Sequence, residues 1–330
     1  MLNKRNFTIM KSKLFIMNKA LLTGATGFVG GAVVRELCHR GEKVVAAVRS
    51  YSDALPTAVK QVQVGGLSVD TAYTEALQDV DVVIHAAARV HIMDDDASDP
   101  LAEFRKVNVE GTLNLARQAA EAGIQRFVFM SSIKVNGEST ELGKPFTAED
   151  NITTQDPYGL SKWEAEQGLL QIAKETGMQV VVIRPPLIYG EGVKANFKKM
   201  MHGVANGLPL PLGAVHNKRS LVALDNLVDF IILCAQHSKA ANEVFLISDG
   251  EDVSTTELLQ KVARAMGKRV WLLPVPVGLM TLAAKLLGKE DVANRLFGSL
   301  QVDSSKAREI LGWQPVVTMD EQLKKMVGTK

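Results

Sequence analysis

The chain has 330 residues, 46% hydrophobic and 22% charged, an ordinary globular composition with length for one large or two modest domains. A net charge of +2 without a long Lys/Arg run argues against a nucleic-acid partner. Cys38 and Cys234 are far apart with no His or Cys at ligand spacing, so neither a disulfide frame nor a metal site is expected, and a reduced, cytoplasmic protein is. Residues 1–16, MLNKRNFTIMKSKLFI, are basic and mixed, without the apolar core or cleavage site of a signal peptide. They read as a flexible extension with no role in the fold. No stretch approaches the ~18 continuous apolar residues of a membrane span.

From residue 20 the pattern becomes regular. A short apolar run, A-L-L-T at 20–23, is followed by G-A-T-G-F-V-G at 24–30. Apolar residues then recur at helical spacing (Val29, Val33, Leu37) up to Gly41, and K-V-V-A-A-V at 43–48 reads as a second buried strand. Strand, glycine turn, helix, strand is the context in which such glycines let a backbone approach a pyrophosphate at a helix N-terminus. An acid at the end of the second strand would hold the ribose 2′-hydroxyl of NAD, whereas arginine accommodates the 2′-phosphate of NADP. Arg49 stands there, with no acid before Asp53, so NADP(H) is expected to be preferred, with NAD(H) possible.

The alternation continues. A strand near 62–64 precedes a helix expected over 71–77. The strand D-V-V-I-H at 81–85 ends in Ala86, Ala87 and Ala88, whose small side chains leave room for a cofactor across the strand tips. A long helix is expected from about 99 to 122, and strands at 126–130 and 179–183 lead to Ser131-Ser132 and Arg184-Pro185-Pro186. Continuous apolar strands alternating with helices imply a parallel sheet covered on both faces.

Between those strands lies D-P-Y-G-L-S-K at 156–162. On a helix, Tyr158 and Lys162 sit one turn apart on one face. A phenol has a pKa of about 10, and a nearby ammonium favours the phenolate, so the pair is a plausible device for moving a proton on and off an alcohol oxygen.

Together these segments resemble the extended short-chain dehydrogenase/reductases. The residues that carry the resemblance are G-A-T-G-F-V-G at 24–30, H-A-A-A at 85–88, N-V-E-G-T at 108–112, S-S at 131–132, Y-G-L-S-K at 158–162, R-P-P-L-I-Y-G at 184–190 and L-V-A-L-D-N-L at 221–227. The resemblance runs from about residue 18 to the end. It implies a Rossmann-like doubly wound parallel α/β sheet over 17–190, completed by about 220–249. A smaller, mostly helical substrate domain would take 191–219 and 250–330. It implies hydroxyl–ketone interconversion on a nucleotide-linked sugar, with Ser132, Tyr158 and Lys162 as the catalytic triad. Tyr158 would exchange the proton, Ser132 would hydrogen-bond the same oxygen, and Lys162 would hold the nicotinamide ribose and tune Tyr158. Cofactor contacts would come from Gly24, Thr26, Gly27, Phe28, Val29, Gly30, Arg49, Ala86, Ala87, Ala88, Asn108, Tyr158, Lys162 and Pro185. Asn108 would support the site from behind, and Asn196 and Arg219 would bind the nucleotide diphosphate. A homodimer is usual for relatives.

Two departures narrow the branch. Sugar-nucleotide 4,6-dehydratases carry Asp-Glu after the position of Ser132, whereas this chain has Ile133-Lys134, which disfavours dehydration. Asn136 stands where many epimerases have tyrosine. The run S-S-I-K-V-N-G-E at 131–138 is similar to bacterial reductases that form UDP-N-acetylquinovosamine from its 4-keto-6-deoxy precursor, commonly labelled UDP-glucose 4-epimerase-like. The leading expectation is therefore an NADP(H)-dependent 4-ketoreductase on a UDP-linked amino sugar. An NAD-dependent UDP-hexose 4-epimerase is the close rival, and a nucleotide-binding member without catalysis the more distant one. The apolar run at 275–287 is expected to pack over the substrate cleft or the core rather than meet a membrane.

Overall fold

The computed structural model describes residues 15–90, 99–152, 154–193 and 195–328. Its main sheet holds β1 (Lys19–Thr23), β2 (Lys43–Val48), β3 (Lys60–Gln63), β4 (Val82–His85), β5 (Arg126–Met130), β6 (Gln179–Arg184) and β9 (Val244–Leu246). Their order is β3-β2-β1-β4-β5-β6-β9, and every neighbouring pair is parallel. The expected return of the chain near 243–247 to complete this sheet is seen in the pairing of Val182 with Val244 and Arg184 with Leu246. A smaller sheet joins β10 (Asp252–Val253), β8 (Arg219–Ala223) and β7 (Leu187–Tyr189).

Side-chain alternation along the strands builds two cores. Leu22, Ala46, Ile84, Val128 and Val181 face α1 (Phe28–His39) and α6 (Leu224–Gln236). Leu21, Val45, Val83, Phe127, Phe129 and Val180 face the other way, onto α3 (Thr112–Glu121) and α4 (Pro157–Thr176). A sheet covered on both faces has continuously apolar strands, as the sequence reads. A third core unites Tyr189, Phe197 and Leu221 with α7 (Thr255–Ala265) and α11 (Met319–Gly328) in the helical C-terminal region.

Four expectations change. The segment 71–77 forms turns, not a helix, because side chains of α3 take its backbone groups. Asn114 and Gln118 donate to the Thr71 carbonyl (2.9 and 2.8 Å), and Gln118 accepts from the Tyr73 amide (2.8 Å). The long helix near 99–122 is three pieces: α2 (Pro100–Phe104), a π-helical stretch Arg105–Gly111, and α3. Phe15, assigned to the extension, is docked: its amide donates to the Gln236 carbonyl at 2.8 Å, and the Arg126 guanidinium lies 5.3 Å from its ring. Residues 1–14 lie outside the described residues. Finally, α8 (Val277–Leu286) contains no buried residue, so it covers no core.

Candidate active site

The carboxyl ends of the strands carry the candidate residues, the edge at which open parallel sheets bind ligands. At the tip of β1, Gly24 has φ +71° and packs so closely on the end of β4 that a Cβ would stand 2.8 Å from the Ala86 carbonyl carbon. A Cβ on Gly30 would meet the Gly24 carbonyl oxygen at 2.1 Å. Glycine is therefore required twice by close backbone approach. The turn delivers the chain into α1 at Gly27, whose side-chain-less cap leaves the first amides of the helix without a capping acceptor, and no acid occupies its first turn. Exposed Thr26 and Gly27, with half-buried Phe28 and Val29, surround that N-terminus. A bare, positively polarised helix end beside a glycine turn fits a dinucleotide diphosphate. Ala86, Ala87 and Ala88 lie half-buried beside it.

The tips of β1 and β4 are locked together. Thr23 Oγ1 accepts from the Ala87 amide at 3.3 Å and shares a hydrogen bond with His85 Nδ1 at 2.7 Å. His85 Nε2 shares another with Thr112 Oγ1 at 2.9 Å. Burial holds His85 neutral, its pKa pulled down to about 3 with the Lys162 charge adding to the effect.

The π-helical stretch supplies Asn108. Its Oδ1 accepts from the Arg89 amide (2.8 Å), and its Nδ2 donates to the Arg89 carbonyl (3.0 Å) and Ser161 Oγ (3.1 Å). Asn108 thus ties the segment after β4 to the helix that bears Tyr158 and Lys162. π-Helical turns often occur at functional sites.

That helix, α4, begins with Pro157 and is capped by Asp156, whose Oδ1 accepts from the Gly159 amide at 2.8 Å. The turn after Ser132 docks against this N-terminus. A Cβ on Gly159 would stand 2.5 Å from the Lys134 carbonyl oxygen, and Lys134 Nζ donates to Asp156 Oδ2 at 2.8 Å. The turn that follows Ser132 and the helix that bears Tyr158 are thereby pressed together. Ser132 is half-buried and caps its own turn, accepting from the Lys134 amide at 3.2 Å. The Pro185 carbonyl accepts from the Ile133 amide at 3.0 Å. Ile133 is buried with Leu246, Leu300 and Val302, so neither Ile133 nor Lys134 is an acid–base pair.

Tyr158 lies edge-on to Phe104, ring centroids 5.8 Å apart. Lys162 is buried, its Nζ 4.2 Å from the centre of the Phe129 ring. Burial pulls the ammonium down to about 7, against Glu166, which favours the charged form. Burial pushes the Tyr158 phenol up to about 12, and Asp156 adds to the rise. This reverses the expected lowering of Tyr158 by Lys162: both groups are desolvated, and each then favours its neutral state.

Glu166 was missed at the sequence level. It stands one turn beyond Lys162 and is buried. It accepts from Ser131 Oγ and from Arg184 Nε (3.0 Å) and Nη2 (2.5 Å), while Arg184 Nη1 donates to Asn136 Oδ1 at 3.0 Å. The spacing 158, 162, 166 on one helical face was the available signal. Asn136, noted only as a departure, completes this network by donating to the Thr147 carbonyl at 2.9 Å.

The remaining candidates lie outside these contacts. Arg49 is exposed just beyond β2, its carbonyl accepting from Gln63 Nε2 at 3.1 Å. Arg219 begins β8; its Nη1 donates to the Arg295 and Gly298 carbonyls (3.0 and 3.1 Å), and it forms no ion pair among the described residues. Asn196 falls in α5 (Ala195–Ala205), but its side chain lies outside the described residues.

Residues 20–248 match the model of the NAD dependent epimerase/dehydratase family. The chain belongs to that family. It is 50% identical over 309 residues to a Vibrio cholerae protein named UDP-glucose 4-epimerase, covering 92% of this chain and 93% of the relative. It is 29% identical over 285 residues to an Escherichia coli O157:H7 epimerase of an undecaprenyl-diphosphate-linked N-acetylglucosamine, covering 83% and 82%. Among solved structures, the UDP-N-acetylglucosamine 4-epimerase of Bacillus cereus superposes with a TM-score of 0.75 at 21% identity over 94% of this chain and 98% of that one. The chain thus has a Rossmann-like fold and belongs to an NAD-dependent enzyme family, and among the described residues no helix is long and apolar enough to cross a membrane.

Proposed function

We propose that this protein is a NAD-dependent 4-epimerase of a UDP-linked hexose or N-acetylhexosamine. The observation that carries the reading is the 50% identity, over almost the whole of both chains, to the relative named UDP-glucose 4-epimerase. Under this reading the 17–190 unit, completed near 220–249, binds the dinucleotide, and 191–219 with 250–330 receives the sugar nucleotide. Arg219, whose fork has no carboxylate among the described residues, pairs with diphosphate oxygens, and Asn196 is the second residue assigned to them. The glycine turn, the N-terminus of α1 and Lys162 would hold NAD, which would supply hydride exchange at the sugar's C4, with delivery to the opposite face of the 4-keto sugar giving the epimer. Ser132 Oγ orients the 4-oxygen, and the Tyr158 phenol removes and restores that oxygen's proton. Lys162 holds ribose hydroxyls and, when charged, favours the phenolate. A homodimer accompanies this reading.

The test is incubation of purified protein with UDP-glucose and with UDP-N-acetylglucosamine, followed by proton NMR at C4. Appearance of the axial 4-hydroxyl epimer from either supports the reading. A second reading, an NADPH-dependent 4-ketoreductase making UDP-N-acetylquinovosamine, rests on Arg49, exposed where an acid would select NAD. It takes over if no epimer forms while NADPH reduces the UDP-4-keto-6-deoxy sugar and Arg49→Asp reverses the NADPH/NADH ratio. The silent-binder reading has the intact Ser132, Tyr158 and Lys162 against it.

A further inference from the structure

The C-terminal region carries an apolar stripe that is exposed among the described residues. In α8, Leu279, Leu282 and Leu286 are 62%, 55% and 79% exposed, and Leu287 at its end is 70% exposed. Their spacing of three and four places them on one side of the helix. Upstream, Trp271 and Leu273 are also exposed, at 66% and 47%. The helix packs along α9 (Glu290–Phe297), whose N-terminal Glu290 lies 3.9 Å from Lys285.

Charge decides what would cover this stripe. From residue 258 to 289 the sequence contains no Asp or Glu, but it does contain Lys261, Arg264, Lys268, Arg269, Lys285 and Lys289. Lys261 is taken up by Glu251 and Asp320; the other five are exposed. A second copy docked stripe to stripe would bring two stretches of like charge together. An anionic bilayer surface has the opposite sign and accepts leucines below the headgroups with an indole at the boundary. At 10 residues the helix is far too short to span a membrane, so it would lie in the interface.

We propose that α8, with Trp271 and the flanking cations, is a peripheral docking surface for anionic phospholipid membranes. The proposal does not depend on the enzymatic reading. It places the enzyme's C-terminal region against a lipid headgroup layer, with the leucines immersed and the lysines and arginines at phosphate level. Each Lys or Arg close to such a surface strengthens attachment roughly fivefold, and salt weakens it.

The experiment is co-sedimentation of the full chain with vesicles of phosphatidylcholine alone and of phosphatidylcholine mixed with phosphatidylglycerol, at low and high salt. The parent should pellet with the mixed vesicles, far less with the neutral ones, and be released by salt. Leu282→Ser with Leu286→Ser should abolish pelleting, and Lys285→Glu with Lys289→Glu should weaken it, both at unchanged thermal midpoint because these side chains are exposed. A second measurement needs no leucine variant: brominated lipid in the mixed vesicles should quench the parent's fluorescence, and Trp271→Phe should lose that quenching. A parent that stays in the supernatant with mixed vesicles overturns the proposal. So does a dimer, seen by analytical ultracentrifugation, that the leucine pair dissociates, since the stripe would then be covered by a second copy.

Discussion

Glu166 and Arg184 form an ion pair in the interior, Oε2 to Nη2 at 2.5 Å, with side chains 1% and 5% exposed. The pair joins the Lys162-bearing helix to the end of β6, and through Ser131 and Asn136 it holds both ends of the turn that presents Ser132. Removing one member leaves the other charge buried without compensation, which costs about 3–5 kcal/mol. Glu166→Ala should lower the urea midpoint by the equivalent of that loss at an unchanged slope.

Glu166 also acts at a distance on Lys162, whose charged form it favours. Glu166→Gln keeps the hydrogen-bonding shape and removes the charge. The Lys162 ammonium should then titrate lower still, and any limb of the pH–rate profile that reports Lys162 should move to lower pH. A profile superimposable on the parent's would show that this carboxylate only packs the turn.

Gly159→Ala is the cleanest test of how the turn after Ser132 meets the helix that bears Tyr158. Alanine favours a helix over glycine by roughly 1 kcal/mol, so propensity alone predicts a gain. The Cβ, however, would stand 2.5 Å from the Lys134 carbonyl and 2.7 Å from Thr154 Oγ1. The turn after Ser132 must back away. The expected result is a net loss of stability with a fall in kcat larger than any change in nucleotide affinity; a stabilised, fully active variant would refute the close approach.

Lys162 gives a pH-dependent stability whose sign follows from its burial. Its folded pKa is lowered to about 7, while an unfolded lysine titrates near ~10.4. Between these values the unfolded chain binds more protons, so stability rises with pH across that window. The penalty is fully present below pH ~7 and, at about 1.4 kcal/mol per pKa unit, is on the order of a few kcal/mol. Lys162→Met should therefore stabilise the cofactor-free protein near pH ~6, and the advantage should shrink toward pH ~10. Urea midpoints of both proteins across that range decide it.

The strand order and the glycine turn were legible because both depend on local pattern: continuous apolar runs, and glycines between a strand and a helix. The failures share a different cause. The 71–77 segment has helix-compatible spacing, but its Thr71 carbonyl is taken by Asn114 and Gln118 from another element. The π-helical widening around Asn108 leaves no mark in apolar periodicity. The Glu166–Arg184–Asn136 network links positions in separate elements, and only the fourfold spacing of Tyr158, Lys162 and Glu166 hinted at it. Nor did composition reveal that the most apolar helix would be left exposed, since hydrophobicity says that a face wants cover and not what covers it.

Tyr158 bears the proposed chemistry, and its removal is the severest test. The ring packs edge-on to Phe104 and would do so as phenylalanine, so Tyr158→Phe should fold with an unchanged circular dichroism spectrum and melting point. Only the hydroxyl is lost. General acid–base catalysis is worth roughly 10²–10⁴ in rate, and kcat should fall by at least that order with little change in nucleotide affinity. In the cofactor-free protein the buried phenol, pushed up to about 12, should ionise above the ordinary phenol range in an ultraviolet titration. Catalysis through it therefore needs Lys162 protonated, since a neutral amine cannot favour the phenolate. If turnover instead survives in a folded Tyr158→Phe, the proton passes through another group and the triad reading fails at its centre.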